Sequence, residues 1–387
     1  MISKGHKKHS DIARPSSGNF GWNEWSFVGG QCSEIKDLAG DIIKAFSAKY
    51  KCAYADTSHH DGTQLPGRLS AGAVLEYRDE INYRQLNYAA EFNPFKQREL
   101  FAGTDLVLVN GNHQQAKAQV VIIDESKRAS LQKRVSQLKD VQMLLLADNA
   151  VEVFDFIKEA IPQWQDLPLF KIGETEKIIN FFERKMQAVK PVLNGLVLAG
   201  GKSERMGFDK SLVNWHGKEQ RYHAADLLKS FCKDVFISCR ADQQQQIDPQ
   251  YQAISDTFTG LGPYGAILSA FREKPDSAWL VIACDLPLIN ENTLKHLVDH
   301  RNVSAIATTY QSPFDGFPEP LITIWEPKSY PVLLSFLAQG YSCPRKVLIN
   351  SDSTILNAPN PDDLANVNTP EEFELIKNIL HQNAPVQ

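Results

Sequence analysis

The chain has 387 residues, of which 43% are hydrophobic and 22% charged, the proportions of a soluble globular protein with material for two cores. Its formal net charge of −5 argues against a nucleic-acid binder that relies on a broad basic surface, while a local cationic pocket stays open. No apolar run approaches the ~20 residues that span a bilayer, and the polar, basic N-terminus lacks the apolar segment of a secretory signal. Six cysteines occur without Cys-x-x-Cys spacing, which supports neither a zinc site nor a thioredoxin-type motif. A reducing, cytoplasmic compartment is expected, with no nucleic-acid or membrane partner.

Residues 1–19 read as a disordered tail. Trp25–Val28 is an apolar strand that runs into Gly29-Gly30-Gln31-Cys32-Ser33-Glu34-Ile35-Lys36, and the apolar residues from Ile35 to Phe46 recur at helical spacing. Strand, glycine turn and helix is the setting of a phosphate-binding loop. Such a loop ends in Gly-Lys-Ser/Thr, whereas here Lys36 comes late and no hydroxyl residue follows it. Cys52–Ala55 is a second strand, followed by a polar loop with His59 and His60, adjacent residues that do not imply a shared metal. Residues 62–101 show no clean period and read as an insertion over the sheet edge or as part of a binding surface. Strands are expected at 105–110, 118–123 and 143–146, and helices at 126–139, 151–160 and 174–189. This alternation predicts a mainly parallel α/β sheet. Lys190-Pro191 ends the last helix and places a linker near 187–192, dividing the chain into domains at 20–190 and 192–387.

The segment Asp105-Leu-Val-Leu-Val-Asn110-Gly111, with Lys117 ahead of the strand 118–123 and the histidine loop at 59–60, resembles the small GTP-binding adaptor of molybdenum cofactor biosynthesis. The resemblance implies a P-loop-like α/β domain in degenerate form. The family's Gly-Lys-Thr is missing, and Asn110 stands where an acid is usual.

The second half opens on Gly195-Leu-Val-Leu-Ala-Gly-Gly-Lys-Ser-Glu-Arg-Met-Gly-Phe-Asp-Lys210. A buried strand passes through Gly200-Gly201 into a loop carrying Arg205 and Lys210. Glycines at the carboxyl end of such a strand suit an anion, and an ordinary tight turn with a solvated loop reads equally well. A hairpin-like strand and turn is expected at 210–218, a helix at 222–231 and a strand at 235–238. Asp256 closes a further strand ahead of Gly260-Leu-Gly-Pro-Tyr-Gly265, as a pocket residue or a helix N-cap. Asp285 ends the strand from Leu280, as a magnesium ligand or as the cap of an Asp-x-Pro turn. Helices are expected near 266–271, 292–299, 331–337 and 370–380, with strands at 304–308 and 321–325.

Leu-Ala-Gly-Gly-x-x-x-Arg-Met-Gly-x-x-Lys, Cys-Asp-Leu-Pro, Gly-Leu-Gly-Pro-Tyr-Gly and Asn-Val-Asn-Thr-Pro-Glu-Glu, in that spacing over residues 193–380, resemble the molybdenum cofactor guanylyltransferases. The resemblance implies a Rossmann-like nucleotidyltransferase that moves GMP from GTP to molybdopterin and releases pyrophosphate. It implies that Leu198, Ala199, Gly200 and Gly201 cradle the nucleotide. Arg205 and Lys210 would bind phosphates, Asp256 would line the nucleotide pocket, Asp285 would hold Mg2+, and Asn368 would make a second polar contact. Arg240 departs from the family pattern, where Asn is frequent. Arg345 and Lys346 are candidates for the pterin, although a solvated loop is the plainer reading. Molybdoenzymes or other cofactor-biosynthesis proteins are the implied further partners. A cytidylyltransferase, another small-phosphate nucleotidyltransferase and a non-catalytic nucleotide-binding adaptor are the competing readings.

Overall fold

The computed structural model describes residues 18–58, 65–200 and 209–382. The chain divides into two compact units, Met1–Val189 and Lys190–Gln387.

In the first unit β1 (Glu24–Val28) leads through a three-residue turn into α1 (Cys32–Phe46) and then β2 (Cys52–Ala55). An antiparallel hairpin follows, β3 (Leu75–Asp79) and β4 (Arg84–Tyr88), then α2 (Pro94–Phe101), β5 (Leu106–Asn110) and β6 (Ala118–Ile123). The unit closes with α3 (Arg128–Gln132), β7 (Val141–Leu146), α4 (Asp155–Ala160), β8 (Leu169–Lys171) and α5 (Thr175–Ala188). Six parallel strands pair in the order β2-β5-β1-β6-β7-β8. Apolar residues at helical spacing bury Ile35, Leu38 and Ile42 of α1 and Ile178, Phe181 and Phe182 of α5, and the Trp25 and Phe182 rings meet at 4.9 Å.

Two expectations for this unit need correction, and the unassigned stretch 62–101 gains a structure. The stretch 62–101 contains a hairpin that shares neither main sheet. Leu75, Tyr77, Leu86 and Tyr88 alternate with polar residues along its two strands, and all four are exposed. The helix expected at 126–139 is a single turn, α3, flanked by 3-10 turns. Arg134 donates to Ser130 O and to Asn112 O, and this tie to the end of β5 replaces helical continuation. The helix expected from Val151 begins only at Asp155, and Val151 is 93% exposed.

In the second unit β9 (Leu193–Leu198), α6 (Gln220–Lys229), β10 (Val235–Cys239), β11 (Gln252–Ser255), α7 (Pro263–Glu273) and β12 (Ala278–Ala283) form a parallel α/β run. It continues with α8 (Glu291–Asp299), β13 (Ala307–Gln311), β14 (Pro318–Trp325), α9 (Ser329–Ala338), α10 (Pro344–Ile349), β15 (Ser353–Leu356) and α11 (Pro370–Gln382). The seven strands pair as β11-β10-β9-β12-β14-β13-β15, with β14 antiparallel to both neighbours. The period-2 alternation of strands sorts side chains to two faces. Val197, Leu280 and Ile282 pack with Ala224, Leu228 and Leu294 of α6 and α8. Leu196, Trp279 and Val281 pack with Ile267, Phe271 and Leu333 of α7 and α9. The hairpin-like strand expected at 210–218 is instead a 3-10 turn, Lys210–Leu212, and one isolated bridge between Asn214 and Glu219. Asp209 caps that turn through its Oδ1, which accepts from Ser211 N at 2.9 Å and Ser211 Oγ at 2.7 Å.

A buried ion pair ties two strand ends together. Arg301 donates to both carboxylate oxygens of Glu326, at 2.6 and 2.8 Å, and to Pro191 O at 3.0 Å. Glu326 is 0% exposed. Removing one partner strands a buried charge, at a cost of about 3–5 kcal/mol. Arg301→Ala should therefore lower the second unit's unfolding midpoint markedly in urea, whereas Lys295→Ala, which breaks the exposed 2.5 Å pair with Asp299, should shift it little.

Candidate functional site

The second sheet reverses its strand order at β9. From β9 the chain builds outward through β10 and β11, then returns to place β12 on the other side. Ligand crevices of open α/β sheets lie outside the carboxyl ends of strands at such a reversal. Parallel pairing sets Leu198 opposite Ala283, so Ala199-Gly200 and Cys284-Asp285 leave the sheet side by side. Cys284 N donates to Leu198 O at 3.4 Å and Ala199 N to Ser238 O at 3.0 Å, holding both exits in place.

Four expected residues lie around this crevice. Lys210 Nζ donates to Asn368 Oδ1 at 2.8 Å, joining segments 158 residues apart in the chain. Val367 N donates to Asp285 O at 2.9 Å, which brings the same C-terminal segment onto the end of β12. That segment is rigidified as the first turn of α11. Glu372 accepts from Asn368 N at 2.6 Å and Thr369 N at 3.0 Å, while Thr369 Oγ1 accepts from Glu372 N at 3.2 Å, a reciprocal capping arrangement. Burial pushes the Asp285 carboxyl above the usual range, Lys210 opposes that, and nearby Glu319 adds to it.

Asp256 sits on the other flank, beside Gly200. A Cβ built on Gly200 would contact Asp256 Oδ2 at 3.4 Å and Arg240 N at 3.5 Å. Ser238 Oγ donates to Asp256 Oδ1 at 2.6 Å. Burial raises this carboxyl as well, with Ser238 and Arg240 opposing. Arg240 is held between Gly200 O, at 3.1 Å from its Nη1, and Asp242, at 3.2 Å from its Nε. The loop after Asp256 turns through Gly260 and Gly262, both at positive φ, where glycine avoids steric strain. A side chain on Gly265 would run into the Phe258 carbonyl, so the start of α7 is glycine-dependent. The expected residues Gly201 and Arg205 lie outside the described residues, as do His59 and His60 of the first unit.

Residue patterns did not single out Glu319, because it only becomes a neighbour of Asp285 through the antiparallel pairing of β14 with β12. Nor is Arg345 in a solvated loop. It lies in the first turn of α10 and pairs with Asp315 Oδ2 at 2.7 Å and Glu319 Oε2 at 3.4 Å.

Residues 195–354 match the model of the MobA-like NTP transferase domain. The chain is 35% identical over 203 residues to a molybdenum cofactor biosynthesis bifunctional protein of Synechocystis, covering 52% of this chain and 58% of that one. It is 28% identical to a molybdenum cofactor guanylyltransferase of Pseudomonas entomophila, over 48% of this chain and 98% of the relative. With the guanylyltransferase of Pseudomonas fluorescens it shares 30% identity over 188 residues, 47% of this chain and 92% of that protein. The chain belongs to the molybdenum cofactor guanylyltransferase family. It is a nucleotidyltransferase by that membership, and the cytidylyl alternative is not favoured. Its span is a little over half the length of the bifunctional relative.

Asp256 offers a check on this geometry. A carboxyl raised by burial favours the protonated native state, so its contribution to stability is greatest at low pH. That contribution falls as pH rises from the unfolded value of 3.8 through the raised native value. Asp256→Asn keeps an acceptor for Ser238 and removes the buried charge. In metal-free buffer it should raise the second unit's unfolding midpoint at pH 7, with the gain over the unsubstituted chain shrinking as pH approaches 3.8.

Proposed function

We propose that the second unit transfers GMP from GTP to molybdopterin and releases pyrophosphate. Asp285, Lys210 and Asn368, three residues from distant segments, converge at the strand-order reversal of a guanylyltransferase-family sheet, and this convergence carries the reading. In the reaction the terminal phosphate of molybdopterin attacks the α-phosphorus of GTP, a new P–O bond forms, and the bond to the β-phosphate oxygen breaks. A phosphate nucleophile is anionic near neutral pH, so no strong general base is needed. The protein's task is to position two anions and to stabilise charge as it develops.

The backbone at Leu198, Ala199, Gly200 and Gly201 cradles the nucleotide in this reading, with Gly200 permitting close approach. Lys210 and Arg205 meet its phosphates. Asn368 aims the Lys210 ammonium, and the capped turn behind it keeps Asn368 from swinging away. Asp256 takes the nucleotide side of the crevice, next to Arg240. The donor set suits magnesium, since one or two carboxylates complete their shell with water and substrate phosphates. Asp285 would hold the ion, with Glu319 within electrostatic reach. When bound, it supplies charge stabilisation at the phosphates. Arg345, on the far side of Glu319, is the candidate for a phosphate or pterin oxygen of the acceptor.

The first unit is best read as a degenerate P-loop-like adaptor that serves molybdoenzymes or other cofactor-biosynthesis proteins. Its turn from β1 to α1 has backbone groups already engaged by side chains. Asn112 ties down Gly29 N at 3.1 Å and Gly30 O at 2.8 Å. The Glu34 carboxylate lies 3.4 Å from Gln31 N, where it already complements the helix N-terminus. The cysteine usage supports a reducing, cytoplasmic setting.

Pyrophosphate release from GTP and molybdopterin tests this proposal. Asp285→Asn and Lys210→Ala should each lower turnover about 100-fold or more, with far-UV circular dichroism unchanged. GTP should support turnover and CTP should not. Near-normal turnover in both variants would sink the assignment of these residues, and a CTP preference would sink the choice of nucleotide.

A further inference from the structure

A second group of reactive side chains lies in the first unit, outside the carboxyl ends of β1, β2 and β5. A cavity of about 540 Å³ opens there, with Cys32, Lys36, Tyr54, Asp56 and His113 in its lining. The guanylyl-transfer chemistry uses none of them.

Cys32 is the first residue of α1, a helix of 15 residues. Its Sγ lies 3.3 Å from His113 Nε2 and 3.9 Å from Asn112 Nδ2. An amide NH2 can only donate, so the sulfur is the acceptor in the second contact. The Asn112 amide cannot turn away, because Gly29 N and Gly30 O hold both its ends. Two nitrogen-bearing groups and a helix N-terminus therefore converge on one sulfur, the surroundings in which reactive cysteines sit. The charged groups around it are Glu34 and Lys36 on α1, Asp56 and Tyr54 from β2, and His113 after β5. Lys36 Nζ stands 3.6 Å from Asp56 Oδ2, and Tyr54 donates its hydroxyl to the same oxygen at 3.1 Å.

Behind Tyr54 and Asp56 of the lining lies Asn110. Asn110 is 0% exposed, and its Nδ2 has no hydrogen-bond partner. The amide lies beside the Asp56 carboxyl and the Tyr54 hydroxyl.

We propose that Cys32 is a nucleophilic thiol that exchanges with small-molecule disulfides in this cavity, with His113 as its proton acceptor. The Cys32 thiol passes its proton to His113 Nε2, and the thiolate attacks one sulfur of the disulfide. A new S–S bond forms to Cys32, the original S–S bond breaks, and the departing thiolate recovers the proton from His113. One disulfide is consumed and one is formed, so no further oxidant or reductant enters. The departing half occupies the polar part of the cavity, beside Lys36.

The other cysteines lack this setting. Burial and Asp105 push the Cys52 thiol up to about 11, and burial pushes Cys232 up to about 12. Cys239 and Cys284 are buried, whereas Cys343, the N-cap of the short helix α10, is exposed and serves as the accessible reference thiol.

The test treats the reduced full-length chain with dithiobis-nitrobenzoate, follows release of the coloured thiolate, and locates the adduct by peptide mass mapping. Cys32 should react at least about tenfold faster than Cys343. Cys32→Ser should abolish the fast phase. His113→Asn should slow it about tenfold or more and move its rise to higher pH, while Cys343→Ser should leave it intact. Oxidised glutathione should give an adduct at Cys32 first. The comparison of Cys32 with Cys343 needs no variant, so a folding defect in a mutant cannot mask it. Faster labelling of Cys343 than of Cys32 in the unsubstituted chain, or an unchanged fast phase in His113→Asn, would overturn the proposal.

Discussion

The parallel register between β9 and β12 is the constraint from which the second unit's site follows. Six residue pairs, from Leu193 opposite Ala278 to Leu198 opposite Ala283, fix where both strands end. Because side chains alternate across a sheet, a slip of one residue would turn Val197, Leu280 and Ile282 out of their core. That core excludes the slip, and the apolar packing within the sheet thereby sets the spacing between Gly200 and Asp285 at its edge. The polar site inherits its precision from residues that never touch a ligand.

The two aspartates at this crevice sit where burial disfavours their charge. Each is near a compensating group, Lys210 for Asp285 and Arg240 with Ser238 for Asp256. Neither is fully neutralised within the protein, and both carboxyls stay raised. A fold that holds raised carboxylates at a strand end carries a local destabilisation, which the surrounding cores absorb. Cationic or metal-bearing ligands relieve it, and this links binding to stability.

Much of the second unit was legible in the residues, because its elements obey local rules. The apolar run before Gly200, the glycines at 260 and 262 and the capped turn at Thr369 each announce themselves through backbone or capping demands. Glu319 and the ion pairs of Arg345 were not legible. Their importance comes from β14 running antiparallel beside β12, and no local spacing encodes that pairing. The first unit was harder for a related reason. Its hairpin at 75–88 is short and leaves its alternating apolar residues exposed, and α3 is cut short by the long-range bond of Arg134 to Asn112. The meeting of Cys32 with His113 likewise depends on β1 and β5 lying side by side, 81 residues apart in sequence.

The hydrogen bond from Val367 to Asp285 has a consequence for the order in which the molecule is made. The seven strands, helices α6 to α10 and the Asp285 carbonyl all precede residue 360, and domains condense as units while synthesis proceeds. The partner of Lys210 and the clamp on the end of β12 arrive only with residues 367 and 368. A nascent chain can thus bury its core while the crevice is still open and Lys210 still lacks its aiming residue.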